Sequence, residues 1–416
     1  MTSHKSLSLL ISLALSLVLG FGACAEPDPT SDEPDSMLSI DHEAGPELDA
    51  ELVGADLDAL VTAEDMGSEE LEPLTVHGDP RSWPLWNSGP FQVGVKRFEL
   101  TYEPEAWGEA RTITMYVWYP TEATEGETLR YLDLFLEEQA LKDAPPAMPY
   151  YRGGAPVLIH SHGWEGFAGN SAFLMKHFAS HGWVVAAPDH TGNLFLSNLD
   201  PFPSAFDYVR ALDMRLVLDT LGDAVTLAAQ GLDTLGPINT DTVLMSGHSY
   251  GGYTAWSCAG VTYNMARERE ECPACTPEQL AIFERGLGDP RIIGVIPMAE
   301  PLSETQIADD GAVSVTIPIL MMSGSEDNPE RYAQQYDELS ALDYRWLELS
   351  GGCHNTFGLP PCETLDPEVG RELINGYALA FGRHLLLGDT ASEITDLLSG
   401  AARPNDRALL RYHQAE

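Results

Sequence analysis

Compact apolar runs alternate with helix-period segments along most of this chain, and that alternation restricts the fold more than any other feature. The runs Val157–His160, Trp183–Ala187, Thr242–Met245, Ile292–Met298, Ile317–Met322 and Tyr344–Leu349 are short and almost continuously hydrophobic. Between them lie amphipathic stretches such as Ser171–Ser180, Ala205–Leu221 and Glu330–Leu342. A strand apolar on both faces needs cover on both, and strand–helix–strand order returns the chain in parallel. The prediction is an α/β domain, a doubly wound and mostly parallel sheet with helices on both faces. Val93–Tyr102 and Arg111–Tyr119 read as an antiparallel opening pair, and Asp366–Leu387 as a closing helix.

One turn in this pattern carries chemistry. Gly247-His248-Ser249-Tyr250-Gly251 follows the strand at Thr242–Met245 and opens a helix containing Tyr253, Ala255 and Trp256. This is the G-x-S-x-G elbow, in which a sharp strand-to-helix turn exposes a serine Oγ above the sheet. Attack by that oxygen on a carbonyl needs donors for the developing oxyanion. The N–H of Tyr250 is one, and the loop His160-Ser161-His162-Gly163-Trp164 places the N–H of Trp164 as the second. The chain order serine, acid, histidine makes His354, just past the last strand, the base. Asp327, in Gly324-Ser325-Glu326-Asp327, is the favoured acid, and Glu300, one strand earlier, is its rival. Phe167 and Phe195, with Trp164 and Tyr250, are candidate pocket walls, a packing role being equally open to the two phenylalanines. His160, His162, His190 and His248 are read as packing residues.

The ends of the chain differ from this middle. Lys5 followed by the apolar Leu7–Leu19 reads as an export signal, too short to span a bilayer. Phe21-Gly22-Ala23-Cys24 resembles a bacterial lipobox, which implies cleavage before Cys24 and acylation of its thiol. No Lys or Arg occurs between Lys5 and Arg81, while Asp, Glu, Pro and Ser recur; such a stretch is a solvated tether. The expected organisation is a signal peptide over 1–23, a tether over 24–85, a catalytic domain over 86–392 and a tail over 393–416. A net charge of −42 excludes nucleic acid as a partner and electrostatic docking to anionic lipid. The expected place is the bacterial cell envelope, with the lipid anchor as the contact to membrane.

Cys353 and Cys362 bracket the loop that begins at His354, and a bridge between them would hold it, since an exported chain keeps disulfides. Cys272-Pro-Ala-Cys275 lacks the second ligand pair of a zinc site and a thioredoxin-like context, so a structural bridge within it, or to Cys258, is expected.

The stretch His160-Ser161-His162-Gly163, the run from Phe178 through Pro188-Asp189-His190 to Asn193, and Val117-Trp118-Tyr119-Pro120 resemble the platelet-activating-factor acetylhydrolase-like group of α/β hydrolases. Bacterial members are often labelled dienelactone hydrolases. The resemblance spans roughly residues 88 to 388. It implies hydrolysis of small or short-chain carboxylic esters, acetyl or lipid-like esters among them, through an acyl-enzyme, without metal or other cofactor. It also keeps Glu300 open, because acetylhydrolases of this group can place the acid after the earlier strand. Ser249 departs from dienelactone hydrolases proper, which use a cysteine. The alternatives are a serine peptidase and a non-catalytic binding lipoprotein that retains the fold.

Overall fold

The structure is a computed structural model that describes residues 77–149, 151–199, 203–307 and 314–415. The expected signal peptide, Cys24 and most of the tether lie outside the described residues.

Fourteen strands occur among them. The first five are β1 (Gln92–Tyr102), β2 (Arg111–Thr121), β3 (Arg130–Tyr131), β4 (Phe135–Leu136) and β5 (Leu141–Lys142). Then follow β6 (Ala155–Ser161), β7 (Val184–Asp189), β8 (Asn193–Leu194), β9 (Ser197–Asn198), β10 (Ile238–His248), β11 (Ile292–Met298), β12 (Ile319–Gly324), β13 (Tyr344–Leu349) and β14 (Ala408–His413). Ten of them form one sheet in the order β14-β13-β12-β11-β10-β6-β7-β2-β1-β5. The stretch from β13 to β7 is parallel, and β2, β1 and β14 are added antiparallel.

Every residue of β6, β7 and β12 is buried, which requires cover on both faces. The helices Ala172–Ser180 and Pro367–Leu386 pack on each other, as do Phe206–Gly222 and Tyr250–Cys258. Gly294 of β11 lets the first layer approach closely: a Cβ there would lie 2.5 Å from Leu385 Cδ1. The chain leaves β6 toward β7 on one side and later returns to β10 on the other. The sheet order therefore reverses between β6 and β10, where open α/β sheets bind ligands at the strands' carboxyl ends.

Two boundaries differ from the sequence reading. Residues 393–416 are not a trailing tail. The helix Ser392–Ser399 buries Ile394, Leu397 and Leu398, and β14 pairs with β13, Ala408 opposite Leu349. Only Ala408 and Leu410 of β14 face inward, too few to register as a strand along the sequence. At the other end the folded domain starts before 86. Trp83 and Leu85 are buried, and Arg383 donates to the Trp83 carbonyl at 2.9 Å.

Among the described residues, disulfides join Cys353 to Cys362 and Cys272 to Cys275, and Cys258 is buried and reduced.

Candidate active site

β10 ends at His248 and a helix begins at Tyr250, so Ser249 alone makes the turn. Its backbone stands at φ 53° and ψ −126°, a conformation that costs a non-glycine residue about 1–3 kcal/mol. The turn closes only because its neighbours lack side chains. A Cβ on Gly247 would lie 1.9 Å from the Gly251 carbonyl oxygen, and one on Gly251 would lie 1.9 Å from that of Ser161. The Ser249 N–H donates to the Met298 carbonyl at 2.8 Å, tying the elbow to β11.

His354 and Asp327 come to this turn from the loops after β13 and β12. His354 Nε2 lies 2.8 Å from Ser249 Oγ, and its Nδ1 lies 3.2 Å from Asp327 Oδ2. A carboxylate only accepts, so Nδ1 carries the proton and Nε2 is left to accept from the serine hydroxyl. The hydrogen bond to Asp327 raises the His354 pKa above its ordinary value, against the opposing effect of burial. Tyr332 donates to the same Asp327 oxygen at 3.2 Å.

Glu300 follows β11 and approaches the elbow, where Gly252 leaves room: a Cβ there would lie 2.6 Å from Glu300 Cβ. Burial pushes its carboxyl up to about 7. Among the described residues no hydrogen bond joins that carboxyl to the imidazole, and Asp327 is the carboxylate within hydrogen-bonding reach of His354.

The loop after β6 reaches the serine from the other side of the reversal. A Cβ on Gly163 would lie 3.2 Å from Ser249 Cβ, which sets Gly163 beside the elbow serine. Tyr250 is the first residue of its helix, where N–H groups lack intrahelical partners and the helix end is positive. Arg210 stands over its ring, 4.5 Å from the ring centre, and the half-exposed Trp164 has its ring 5.7 Å away. Phe167 is buried and stacks on Phe135 at 4.5 Å, while Phe195 meets the same Phe135 edge-on at 5.5 Å. Phe167 is thus enclosed, while the half-buried Phe195 stays nearer the surface.

Behind the loop lies a buried charged frame that sequence reasoning did not find. Arg111 grips Asp213 through two bonds of 2.8 Å, and Tyr102 and His190 Nδ1 bond the same carboxylate at 2.6 and 2.8 Å. Burial works against the Asp213 charge, but Arg111 and these donors hold it well below the usual carboxylate range. Arg210 donates to Asn193, Thr254, Ser161 and the His162 carbonyl. The one available signal was the pair Arg210 and Asp213, three residues apart on one helix among the apolar residues Val209, Ala211, Leu212 and Met214. His248, read as packing, donates from Nε2 to the His354 carbonyl at 2.9 Å and so holds the histidine's main chain.

The fold and the elbow together define the class: this is an α/β-hydrolase fold. A solved ferulic acid esterase from Streptomyces cinnamoneus superposes with a TM-score of 0.53, covering 78% of this chain and 97% of its own, at 20% sequence identity. The sequence matches no protein-family model and no curated protein.

Proposed function

We propose that the protein is a serine carboxylic-ester hydrolase that works through an acyl-enzyme on small or short-chain esters. The observation that carries this reading is the Ser249–His354–Asp327 relay on a strained elbow, with both bonds of the imidazole directed as base catalysis requires. His354 takes the Ser249 proton as Oγ bonds to the ester carbonyl carbon, and the carbonyl π pair moves onto oxygen. The N–H groups of Trp164 and Tyr250 are assigned to that oxyanion. His354 then protonates the departing alkoxide, and water repeats the sequence on the acyl-enzyme. The ferulic acid esterase with the same fold adds support for ester chemistry. A lipid anchor at Cys24 would hold the enzyme at the bacterial cell envelope.

The test is hydrolysis of p-nitrophenyl esters from acetyl to palmitoyl and of a feruloyl ester, with Ser249→Ala as control and a fluorophosphonate to count active serines. Turnover that needs Ser249 and peaks at short acyl groups is expected. No serine-dependent turnover on any ester, or no labelling of folded protein, would overturn the reading. For the anchor, palmitate incorporation lost in Cys24→Ser is expected, and unchanged incorporation refutes it.

A further inference from the structure

The three histidines at the carboxyl ends of β6 and β7 are completely buried, and His162 differs from the others in what its ring holds. The backbone N–H of His190 approaches His162 Nε2 at 3.0 Å. A backbone N–H can only donate, so Nε2 is the accepting nitrogen and the ring proton sits on Nδ1. Nδ1 lies 2.8 Å from the Gly163 carbonyl oxygen and donates to it. The same oxygen accepts from the Gly166 N–H at 3.0 Å. Gly166 suits this close approach: a Cβ would stand 3.0 Å from that oxygen and 3.1 Å from His162 Nδ1, so a larger residue would press on both.

The consequence follows from peptide geometry. In a trans peptide the C=O and the next N–H point in opposite directions across one plane. Pinning the Gly163 oxygen from two sides fixes where the Trp164 N–H points, in a loop that passes beside Ser249: a Cβ on Gly163 would lie 3.2 Å from Ser249 Cβ. The preceding peptide is fixed as well, since Arg210 donates to the His162 carbonyl. His190 is itself held: its Nδ1 donates to Asp213, and its Nε2 accepts from the Ser161 hydroxyl at 2.9 Å, which in turn accepts from Arg210 at 3.0 Å. Donor directions are thus set from the Arg111–Asp213 pair outward to the Gly163–Trp164 peptide.

We infer that His162 is a positioning residue that holds the Gly163–Trp164 peptide with its N–H toward the oxyanion, through an Nδ1–H bond to the Gly163 carbonyl. The inference rests on the serine-hydrolase reading above. Burial keeps the ring neutral, as the arrangement needs, by pushing its pKa well below the ordinary histidine value.

Two polar replacements separate positioning from packing. In His162→Asn the side-chain amide N–H stands where Nδ1–H stood and still reaches the Gly163 carbonyl. In His162→Gln the amide sits near the Nε2 position, and that bond is lost. The readouts are kcat per fluorophosphonate-titrated serine, KM, and inhibition by an aryl trifluoromethyl ketone, which forms a tetrahedral oxyanion with a catalytic serine. Loss of one oxyanion donor lowers turnover by about 10²–10³-fold. His162→Gln is expected to lose kcat and trifluoromethyl-ketone affinity together, by roughly 100-fold, with KM within about threefold. His162→Asn is expected to recover at least about tenfold of that loss. Equal kcat in the two variants, or a loss confined to KM, would overturn the proposal. Where neither variant folds, the wild-type chain decides: imidazole ¹⁵N shifts must show the His162 proton on Nδ1, and a proton on Nε2 refutes the argument. A wild-type chain left unlabelled by the fluorophosphonate refutes the serine reading instead, so the two failures are distinct.

Discussion

Replacing Asp327 by Asn and Glu300 by Gln, separately, tests the assignment of the acid. The Asp327 carboxylate lies 3.2 Å from His354 Nδ1. At an effective dielectric of about 20, a unit charge at that distance stabilises an imidazolium by about 5 kcal/mol, close to four powers of ten in rate. The His354 side chain is 43% exposed and that of Asp327 17%, so solvent screening trims the figure. Asp327→Asn is therefore expected to lower kcat by about 10²–10⁴-fold, including the effect of a mis-set tautomer. The pH profile adds a second reading. His354 must be neutral to act as base, and its folded pKa is raised chiefly by the Asp327 hydrogen bond. Activity in the wild type is then lost as pH falls through that raised value, and in Asp327→Asn the residual activity persists to lower pH. Glu300 titrates near 7, so Glu300→Gln should leave kcat unchanged below pH 6 and lower it only modestly above pH 8. Rates measured from pH 5 to 9 with a p-nitrophenyl ester decide it. A collapse in Glu300→Gln with Asp327→Asn spared would refute the assignment.

Other expectations are simpler. The Cys353→Ser, Cys362→Ser double variant releases a bridge of sequence separation 9, which the chain-entropy picture values at about 2.7 kcal/mol. A fall in Tm of roughly 5 °C by calorimetry is expected, and an unchanged Tm counts against the estimate. Arg111→Met leaves the buried Asp213 without its ion partner and should destabilise by about 3–5 kcal/mol in chemical unfolding; a loss under ~1 kcal/mol would mean the frame rearranges at little cost. Gly247→Ala forces a methyl onto the Gly251 carbonyl, so the soluble protein should lose fluorophosphonate labelling; full labelling would show that the elbow adapts.

The strands Ile292–Met298 and Tyr344–Leu349 were legible to the residue, because each is a mostly buried run, the first opened by Arg291 and the second bounded by Asp343 and Ser350. β10 begins four residues earlier than its apolar run. Ile238 to Asp241 are half-buried or exposed there, and the pairing with β6 shifts between Ile238 and Val243, so periodicity carried no trace of them. Ser249, His354 and Asp327, which the structure brings within hydrogen-bonding reach, are readable because an elbow motif and a fixed chain order mark them locally. Arg210 and His162 are different. Arg210 acts on the His162 carbonyl 48 residues away, and His162 is oriented by the His190 N–H 28 residues on; both bonds use main-chain groups that any residue would supply, so no local pattern encodes them. β14 escaped for a related reason, as an edge strand needs only one inward row of apolar side chains.

That edge strand sets the order in which a newly made chain finishes itself. Residues 408–413 supply the hydrogen-bonded neighbour of β13, and the loop leaving β13 carries His354. Synthesis proceeds from the amino end and early segments fold first. While residues 408–413 are still inside the ribosome, β13 has an open edge, and the Arg407 carbonyl that accepts from the Ser350 N–H at the start of the histidine loop is only just emerging. The nucleophile elbow, enclosed between β6 and β11, has all its strands long before then. On the serine-hydrolase reading proposed above, a chain in transit carries its serine before the loop of its base is settled, so labelling by a fluorophosphonate is expected only after residues 408–413 have emerged.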